Sequence, residues 1–329
     1  MLSLRDELSR IDVGKALSFR NLTLFPLFRR APFPPRDYIL LEDGIAQRLV
    51  HVTELHSAGS VPEVSVVNDA PSPVLLVDGE ELIGAKQNRV LNLSILIPAK
   101  QRCVIPVSCV EAGRWRAASR EFSTSDQIHY ASGRGQRVSQ VTQSMRANGS
   151  RLSFQEQIWG ELSNKATRLR ADSSTHAMAD IYKRHTHFLD EFIHAFQCQD
   201  HQVGSAFAIS GSIVGLDLFD HPEVMRRFFP KLLRSFALDA LDAPSREFAL
   251  VSVDAILVFL SSILDASCFC ENSLSIGKDL RFSSREVCGA ALWAQERYLH
   301  LCAFTNAATN AEGSVFSTRI SRPSDRRRF

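Results

Sequence analysis

The chain has 329 residues, of which 45% are hydrophobic and 22% are charged. This mixture is typical of soluble globular proteins and excludes a disordered chain, which lacks the apolar surface needed to offset the entropy of ordering. The 38 basic and 36 acidic side chains leave a net charge of +2, so the overall charge does not indicate a nucleic acid or a membrane as partner.

The sequence also bears on compartment and metal content. No apolar run reaches the roughly 18 residues of a membrane-spanning helix, and the N-terminus mixes acidic and basic residues where a signal peptide requires an apolar stretch. The 7 cysteines cannot all pair within the chain because their number is odd. Cys268 and Cys270 form a Cys-x-Cys pair without a second pair at zinc-ribbon spacing, which does not favour structural zinc. We therefore expect a cytoplasmic protein with reduced thiols.

The N-terminal part is predicted to be mostly β-structure. Residues 1–21 are expected to form a helical extension, and the proline-rich residues 24–36 an extended lead-in. Short segments rich in Val, Ile and Leu then alternate with turn signals, which favours a sandwich- or barrel-like unit over residues 22–135. Its last stretch, residues 117–135, lacks periodicity and is interpreted as a surface loop.

The second half of the chain predicts helices followed by a mixed unit. Residues 136–200 have helical periodicity and are expected to form a helical connector. Residues 201–305 begin with a predicted hairpin and continue with two helices and closing strands, so they predict a C-terminal α+β unit. Residues 306–329 are polar and are expected to form a disordered tail. The predicted fold class is α+β, with an N-terminal β-sandwich or barrel-like unit, a helical connector and a C-terminal α+β unit.

The densest polar segment of the chain is residues 78–89. Its seven charged or amide side chains are Asp78, Glu80, Glu81, Lys86, Gln87, Asn88 and Arg89. By composition alone the segment is a charged hairpin tip, whereas acids, a cation and bidentate donors together are what a phosphorylated or sugar ligand requires. Strand alternation would place Glu80 and Glu81 on opposite faces, so at most one of them is expected in a given site. The segment lacks the GxxxxGK[ST] spacing of a phosphate-binding loop.

A second polar segment, residues 108–115, follows a predicted strand. Cys109 and Glu111 are two residues apart, so they share a face if the strand continues. Arg114 could lower the pKa of a thiol or hold a phosphate, and Trp115 could stack on a base. The alternative is a strand end with a small buried cysteine and a packed tryptophan.

Other acidic and histidine residues are interpreted as structural. Asp217 and Asp220 come at the end of a strand and before a helix, where carboxylates commonly act as caps. Either Asp220 or His221 is expected near the N-cap of that helix, with Pro222 in its first turn. His300 lies in an apolar run and is interpreted as a core or interface histidine. The sequence contains neither GxSxG nor a GxGxxG that opens a helix after a strand, so it supports neither Ser-His-Asp catalysis nor a dinucleotide-binding fold.

Taken together, three segments resemble one family. They are VLLVDGEELIGAKQNRVLNLSILIPA, VIPVSCVEAGRW, and QVGSAFAISGSIVGLDLFD with the following PKLLRSFALDAL. They resemble the ARPP domain, the "ARG and rhodanese-phosphatase-superfamily-associated protein" domain, in which ARG denotes ADP-ribosylglycohydrolase. The likeness extends from about residue 22 to 305. It implies a prokaryotic protein encoded near ADP-ribose-processing enzymes, in a family predicted to act on ADP-ribose or other NAD-derived nucleotides. It brings no catalytic assignment with it.

Three hypotheses follow for the function. The first is an enzyme that hydrolyses a glycosidic or phosphoester bond of an ADP-ribose-type nucleotide, with acid/base candidates or a nucleophile among Glu80, Glu81, Cys109 and Glu111. Mg²⁺ held by Asp78 with Glu80 or Glu81 would suit such a reaction. The residues expected to bind the ligand are Asp78, Lys86, Gln87, Asn88, Arg89, Arg114 and Trp115.

The second hypothesis is a non-catalytic regulatory module that binds a nucleotide or a protein, and the third is a buried polar network that ties strands together. The expected partner is a small anionic nucleotide, with a functional link to ADP-ribosylglycohydrolase-type enzymes and no nucleic acid or membrane. The hypotheses differ in whether residues 78–89 and 108–115 meet at a cavity.

Overall fold

The computed structural model describes residues 3–30, 32–56, 60–243 and 251–306. Within these residues the chain forms 8 helices and 18 strands in several sheets, one of which curls into a half-barrel. The predicted α+β class is confirmed. The predicted tail lies outside the described residues, apart from residue 306.

Two short helices lie in the N-terminal part of the chain, four follow one another in its middle, and two lie in its C-terminal part. They are α1 (Leu4–Leu8), α2 (Leu41–Ala46), α3 (Ala131–Asn148), α4 (Gln155–Arg168), α5 (Met178–Arg184), α6 (Thr186–Ala195), α7 (Pro222–Asp242) and α8 (Val253–Asp265). No helix in the described parts of the chain is both long enough and apolar enough to cross a bilayer.

The strands vary from 2 residues in β4 to 9 residues in β11 and β18. They are β1 (Ile11–Val13), β2 (Leu17–Phe19), β3 (Leu22–Arg29), β4 (Ile39–Leu40), β5 (Val50–Glu54), β6 (Glu63–Asn68), β7 (Val74–Leu76), β8 (Glu80–Gly84), β9 (Arg89–Leu91), β10 (Ile95–Ile97), β11 (Gln101–Cys109), β12 (Phe122–Ile128), β13 (Gln202–Ile209), β14 (Ser212–Phe219), β15 (Ser267–Asn272), β16 (Lys278–Ser283), β17 (Val287–Ala294) and β18 (Arg297–Thr305).

The largest sheet has nine strands in the order β1-β3-β13-β14-β18-β17-β16-β15, with β2 also paired to β3. Alternation along β18 sends Cys302 to one face and Leu301 and Ala303 to the other. Helices α3 and α7 pack on the Cys302 face, and α8 packs on the opposite face. The nine-stranded sheet is therefore covered on both sides.

The polar segments identified above belong to a second sheet of six strands, in the order β12-β8-β9-β11-β6-β5. Its apolar core includes Val52, Val66, Leu82 and Ile105. Strand β11 is long enough to pair with β6 along its first part and with β9 along its last three residues. A small third sheet, β10-β7-β4, completes this part of the molecule.

The first 30 residues differ from their prediction. The sequence predicts a helical extension over residues 1–21, but only α1 is helical, and β1 and β2 join the nine-stranded sheet through β3. The reason is the alternation of apolar residues in these short segments, which suits a pleated strand. Pro26 is tolerated within β3 because its position lies between the residues paired to β2 and those paired to β1, where its missing N–H leaves no ladder bond unmade.

The stretch predicted to be a loop, residues 117–135, also differs. It contains β12 and the beginning of α3. The sequence of this strand lacks alternating apolar residues, because only its end residues Phe122 and Ile128 are fully buried. Further along, the helices α3 to α6 occupy the predicted helical connector, and His185 separates α5 from α6. The proposed division into domains stays a prediction, although β1 to β3 pair in one sheet with the strands of residues 202–305.

Candidate functional site

The two polar segments lie side by side in the six-stranded sheet. Arg89 of β9 and Cys109 of β11 are directly paired residues of neighbouring strands. Beyond the ladder, the Val110 N–H donates to the Asn88 carbonyl at 3.1 Å. Antiparallel pairing of β9 with β11 therefore brings together two segments that are separated along the chain.

An ion pair between Glu111 and Arg114 holds the junction of the two segments. Glu111 Oε2 accepts from Arg114 Nη2 at 2.7 Å and from the Asn88 N–H at 3.0 Å. Burial acts to raise the pKa of Glu111, but the hydrogen bonds from Arg114 and Asn88 outweigh it and hold that pKa below its usual value. Arg114 also donates to the Ala85 carbonyl and to the Asn88 side chain. Glu111 and Arg114 therefore shape the loop and are largely satisfied by it.

Arg89 is different, because its guanidinium is fully buried and only partly satisfied. Its Nη1 donates to Gln87 Oε1 at 3.0 Å. Within the described residues, its Nε and Nη2 have no hydrogen-bond partner, and the closest carboxylate oxygen, on Glu54, lies 4.0 Å from Nη2. Burial lowers the pKa of Arg89. Two charged N–H groups without an acceptor are a costly feature of a folded protein.

Trp115 covers this arginine. The Arg89 guanidinium lies 5.9 Å from the centre of the indole ring, and Lys86 Nζ lies 5.3 Å from it. Both distances suit cation–π attraction. The Trp115 residue itself is 48% exposed. We call Lys86, Arg89 and Trp115, with Gln87 and Glu54 beneath them, the Arg89 site.

Cys109 lies against the same site but is not an activated thiol. It is fully buried, and its thiol donates to Gln87 Oε1 at 3.2 Å. Burial raises the pKa of the thiol, and the nearby Arg89 only partly opposes this. A nucleophilic cysteine requires a lowered pKa and some exposure, so these surroundings do not favour that role for Cys109.

The two adjacent glutamates of β8 have separate environments. Glu81 Oε2 accepts from the Ser125 hydroxyl at 2.7 Å, while its Oε1 has no hydrogen-bond partner in the described parts of the chain. Burial, with a contribution from the charge on Glu111, raises the pKa of Glu81 to about 7. Glu80 instead accepts from the Val77 N–H at 2.8 Å, and burial raises its pKa to about 7 against the attraction of Lys231.

Asp78 belongs to a different cluster, at the contact between the two large sheets. Its carboxylate accepts from Arg137 at 2.7 Å and from Arg134 at 3.4 Å. Arg134 also donates to both oxygens of Asp217, and Asp217 Oδ1 lies 3.1 Å from Nε2 of His300. Burial would raise the pKa of Asp217, but Arg134 and His300 lower it to about 2. We call these five residues the buried ion network.

Ser94 extends the network into a Ser-His-Asp chain. Its hydroxyl lies 2.7 Å from His300 Nδ1 and accepts from the Asp78 N–H at 2.9 Å. The adjoining cavity has a volume of about 10 Å³, which is room for one water molecule and not for a substrate. The arrangement is therefore a structural one in this conformation.

A comparison with known protein families finds one whose model covers nearly all of the helices and strands described above. A family model described as the ARG and Rhodanese-Phosphatase-superfamily-associated Protein domain matches residues 10–304. The chain belongs to this ARPP domain family. Searches of curated proteins and of solved structures find no match.

In this ARPP domain, the predicted ligand-binding residues thus divide between two places. Lys86, Gln87, Asn88, Arg89, Arg114 and Trp115 come together with Cys109 and Glu111, whereas Asp78 is taken up by the buried ion network. Mg²⁺ does not fit Asp78 with Glu80 or Glu81, because Asp78 is already paired with two arginines and Glu80 is turned toward Val77. Among the described residues no group of three or more His, Cys, Asp or Glu is placed to hold a metal ion.

Sequence reasoning missed the arginines of the buried ion network. Arg134 and Arg137 are three residues apart and share a face of α3, a spacing that could have indicated a charged buried face. The interpretation of the two aspartates as helix caps is wrong, whereas the alternative cap of the following helix, His221, is confirmed. Asp217 pairs with Arg134, and Asp220 accepts from Tyr38 and Arg297, while the cap of α7 is His221. His300 is a buried core residue, as predicted.

Proposed function

We propose that this ARPP domain binds a phosphorylated nucleotide of the ADP-ribose type at the Arg89 site. The observation that carries the proposal is the incomplete hydrogen bonding of a fully buried guanidinium, whose Nε and Nη2 lack an acceptor within the described residues. Each unmet charged donor costs more than about 1 kcal/mol in the unliganded protein. A ligand that supplies oxygens to both would recover that free energy.

A phosphate group matches this requirement better than a protein carboxylate does. Its oxygens accept two parallel N–H bonds from one guanidinium. Glu54 does not satisfy this role, because its closest oxygen stays 4.0 Å from Arg89 Nη2. Lys86 provides a second positive charge, with its Nζ 5.3 Å from the centre of the same indole, which suits the two charges of a pyrophosphate.

Trp115 supports a ligand that carries a base. Its exposed indole lies over both cations, so a ligand that reaches Arg89 has to displace or slide beneath the ring. Stacking of a nucleobase on an aromatic ring contributes about 1–3 kcal/mol. The name of the family links these domains with ARG proteins, which supports an ADP-ribose-type nucleotide over other phosphorylated compounds.

The test is calorimetric titration of the full chain with ADP-ribose and NAD. Arg89→Gln removes the charge and is expected to weaken binding roughly 10- to 100-fold. Trp115→Ala removes the stacking surface at an exposed position, and is expected to act similarly without affecting the fold. Arg120→Gln is the matched control, since it removes an exposed arginine of the same loop. Absence of saturable binding, or equal affinity in Trp115→Ala and wild type, would overturn the proposal.

Hydrolysis of the bound nucleotide is the second candidate, and Glu81 is the observation that favours it. A carboxyl group with a pKa of about 7 and one unoccupied oxygen can hold or accept a proton at neutral pH. Glu111 nearby stays ionised, so the two carboxyls have opposite protonation states, as an acid and a base require. Mass spectrometry of ADP-ribose after incubation tests this. Turnover that is lost in Glu81→Gln supports hydrolysis, and unchanged ligand with the wild type leaves a binding function alone.

A further inference from the structure

A second opening lies between the last turns of α4 and the first turns of α5. Its volume is about 400 Å³, within the range of pockets that hold small molecules. Leu162, Ala166 and Ile181 form an apolar lining, and Arg170, Asp172 and His176 come from the loop that joins the two helices. We call this opening the α4–α5 groove.

The three charged or titratable side chains of the groove are available to a ligand. Within the described residues, Arg170, Asp172 and His176 form no side-chain hydrogen bond, and no ion pair involves them. All three side chains are exposed, so the lack of a protein partner costs little free energy in the unliganded protein. Their presence around an apolar lining gives the groove one cation, one carboxylate and one imidazole that are not committed to the fold.

Arg170 occupies a position that the helix end would normally give to glycine. The Ala171 N–H donates to the Ala166 carbonyl at 2.9 Å and the Arg170 N–H donates to the Thr167 carbonyl at 3.2 Å. These two bonds define a Schellman motif, in which Arg170 takes the left-handed conformation, with a φ of 50°. His176, later in the loop, is also left-handed, with a φ of 52°. An arginine at position 170 carries strain that glycine would not.

The loop that carries these residues is held in place before any ligand arrives. The Ser173 hydroxyl donates to Asp180 at 2.6 Å and accepts from the Ala177 N–H at 2.9 Å. The Thr175 carbonyl accepts from the Gly113 N–H at 2.8 Å. A preformed loop loses less entropy on binding than a mobile one.

We propose that the α4–α5 groove is a second ligand site, for a nucleoside monophosphate. The apolar lining suits the face of a base, Arg170 with His176 suits the phosphate, and Asp172 suits ribose hydroxyls, which a carboxylate accepts well. Inorganic phosphate lacks the apolar face and a nucleoside lacks the anion, so each alone uses only part of the groove. The proposal does not rest on the function of the Arg89 site, with which the groove shares no residue.

The test is titration of the full chain with AMP, adenosine and inorganic phosphate. We expect AMP to bind at least 10-fold more tightly than either of the others. Arg170→Gly should weaken AMP at least 10-fold while the melting temperature stays equal or rises, because glycine relieves the left-handed strain. This variant separates a binding role from a structural one.

Two further variants locate the binding. Ala166→Phe fills the groove from α4 and should abolish AMP binding, whereas Arg184→Gln, an exposed arginine of α5, should leave it unchanged. The AMP titrations of these variants are made in the Trp115→Ala background, which lacks the stacking surface of the Arg89 site, so that failure of the Arg89 site and failure of the groove are distinguished. In that background, AMP binding that is undetectable or that survives Ala166→Phe would overturn the proposal.

Discussion

Arg134 of α3 and Asp217 of β14 form a two-pronged ion pair at 2.9 and 2.5 Å, with both side chains fully buried. The pair joins the helix to the face of the nine-stranded sheet. Through Asp78, the same guanidinium reaches the end of the six-stranded sheet. One buried arginine thus connects three parts of the fold.

Removing one member of this pair should destabilise the protein strongly. Asp217→Asn removes the negative charge closest to the buried Arg134 guanidinium and turns one of its two acceptors into an N–H donor, so that Asp78, at 3.4 Å, is the carboxylate left to pair with it. The expected loss in the free energy of unfolding is about 3–5 kcal/mol, measured by urea denaturation. Asp126→Asn is the control, because Asp126 is exposed on β12 and its substitution should cost less than about 0.5 kcal/mol. Equal stability of the two variants would contradict the structural importance of the pair.

The sequence predicted this region only in part, for a physical reason. The sequence predicts the DGEE segment as a polar tip between two strands, whereas its two glutamates belong to strand β8. All three of its carboxylates are buried, and Asp78 leaves the cluster because two arginines of α3 approach it from a distant part of the chain. Such partners lie more than 50 residues away, and no local pattern reveals them.

Local pairing, by contrast, was within reach of sequence reasoning. Cys109 and Glu111 meet Gln87 and Asn88 because two neighbouring strands run antiparallel, and strands of this kind are visible in the alternation of Val and Ile. The groove between α4 and α5 has no such signal in the sequence. Its loop has no motif, and its shape depends on the left-handed residue that ends α4.

The stability of the protein should depend on pH through Glu81. The pKa of this carboxyl is about 7 in the folded state against 4.5 for the free side chain. Between these values the folded protein binds a proton that the unfolded chain has lost. The contribution of the protonated Glu81 to the free energy of unfolding is therefore fully present below pH 4.5 and is lost as the pH rises to about 7.

Glu81→Gln should remove this loss, because an amide does not ionise. The free energy of unfolding of the variant relative to wild type should rise by on the order of 3 kcal/mol between the two ends of that pH window. Ser125→Ala should extend the window to higher pH, since the Ser125 hydroxyl lowers the pKa of Glu81. Urea denaturation at several pH values checks both. A difference that does not change with pH would show that Glu81 ionises normally.

The cysteines should differ widely in reactivity. Cys268 and Cys270 are exposed on β15, whereas Cys109, Cys288 and Cys302 are buried. Burial also raises the pKa of each buried thiol, to about 12 for Cys288. Alkylation with iodoacetamide followed by peptide mapping should modify the exposed pair at least roughly 100-fold faster. Rapid modification of Cys109 in the folded protein would instead restore it as a candidate nucleophile.

Two glycines should respond in opposite ways to the same substitution. A Cβ at Gly113 would lie 2.9 Å from the Thr175 Cα, a backbone atom that cannot yield without moving the loop of the α4–α5 groove. Gly113→Ala should therefore cost about 1–3 kcal/mol of stability and weaken AMP binding at the groove.

Gly160 is exposed within α4, and a Cβ there would meet nothing within 4 Å. Gly160→Ala should stabilise the protein by about 0.5–1 kcal/mol, because alanine loses less backbone entropy than glycine in a helix. Thermal denaturation of both variants gives the comparison. If Gly113→Ala were as stable as Gly160→Ala, the close approach of the two loops would not be a feature of the protein in solution.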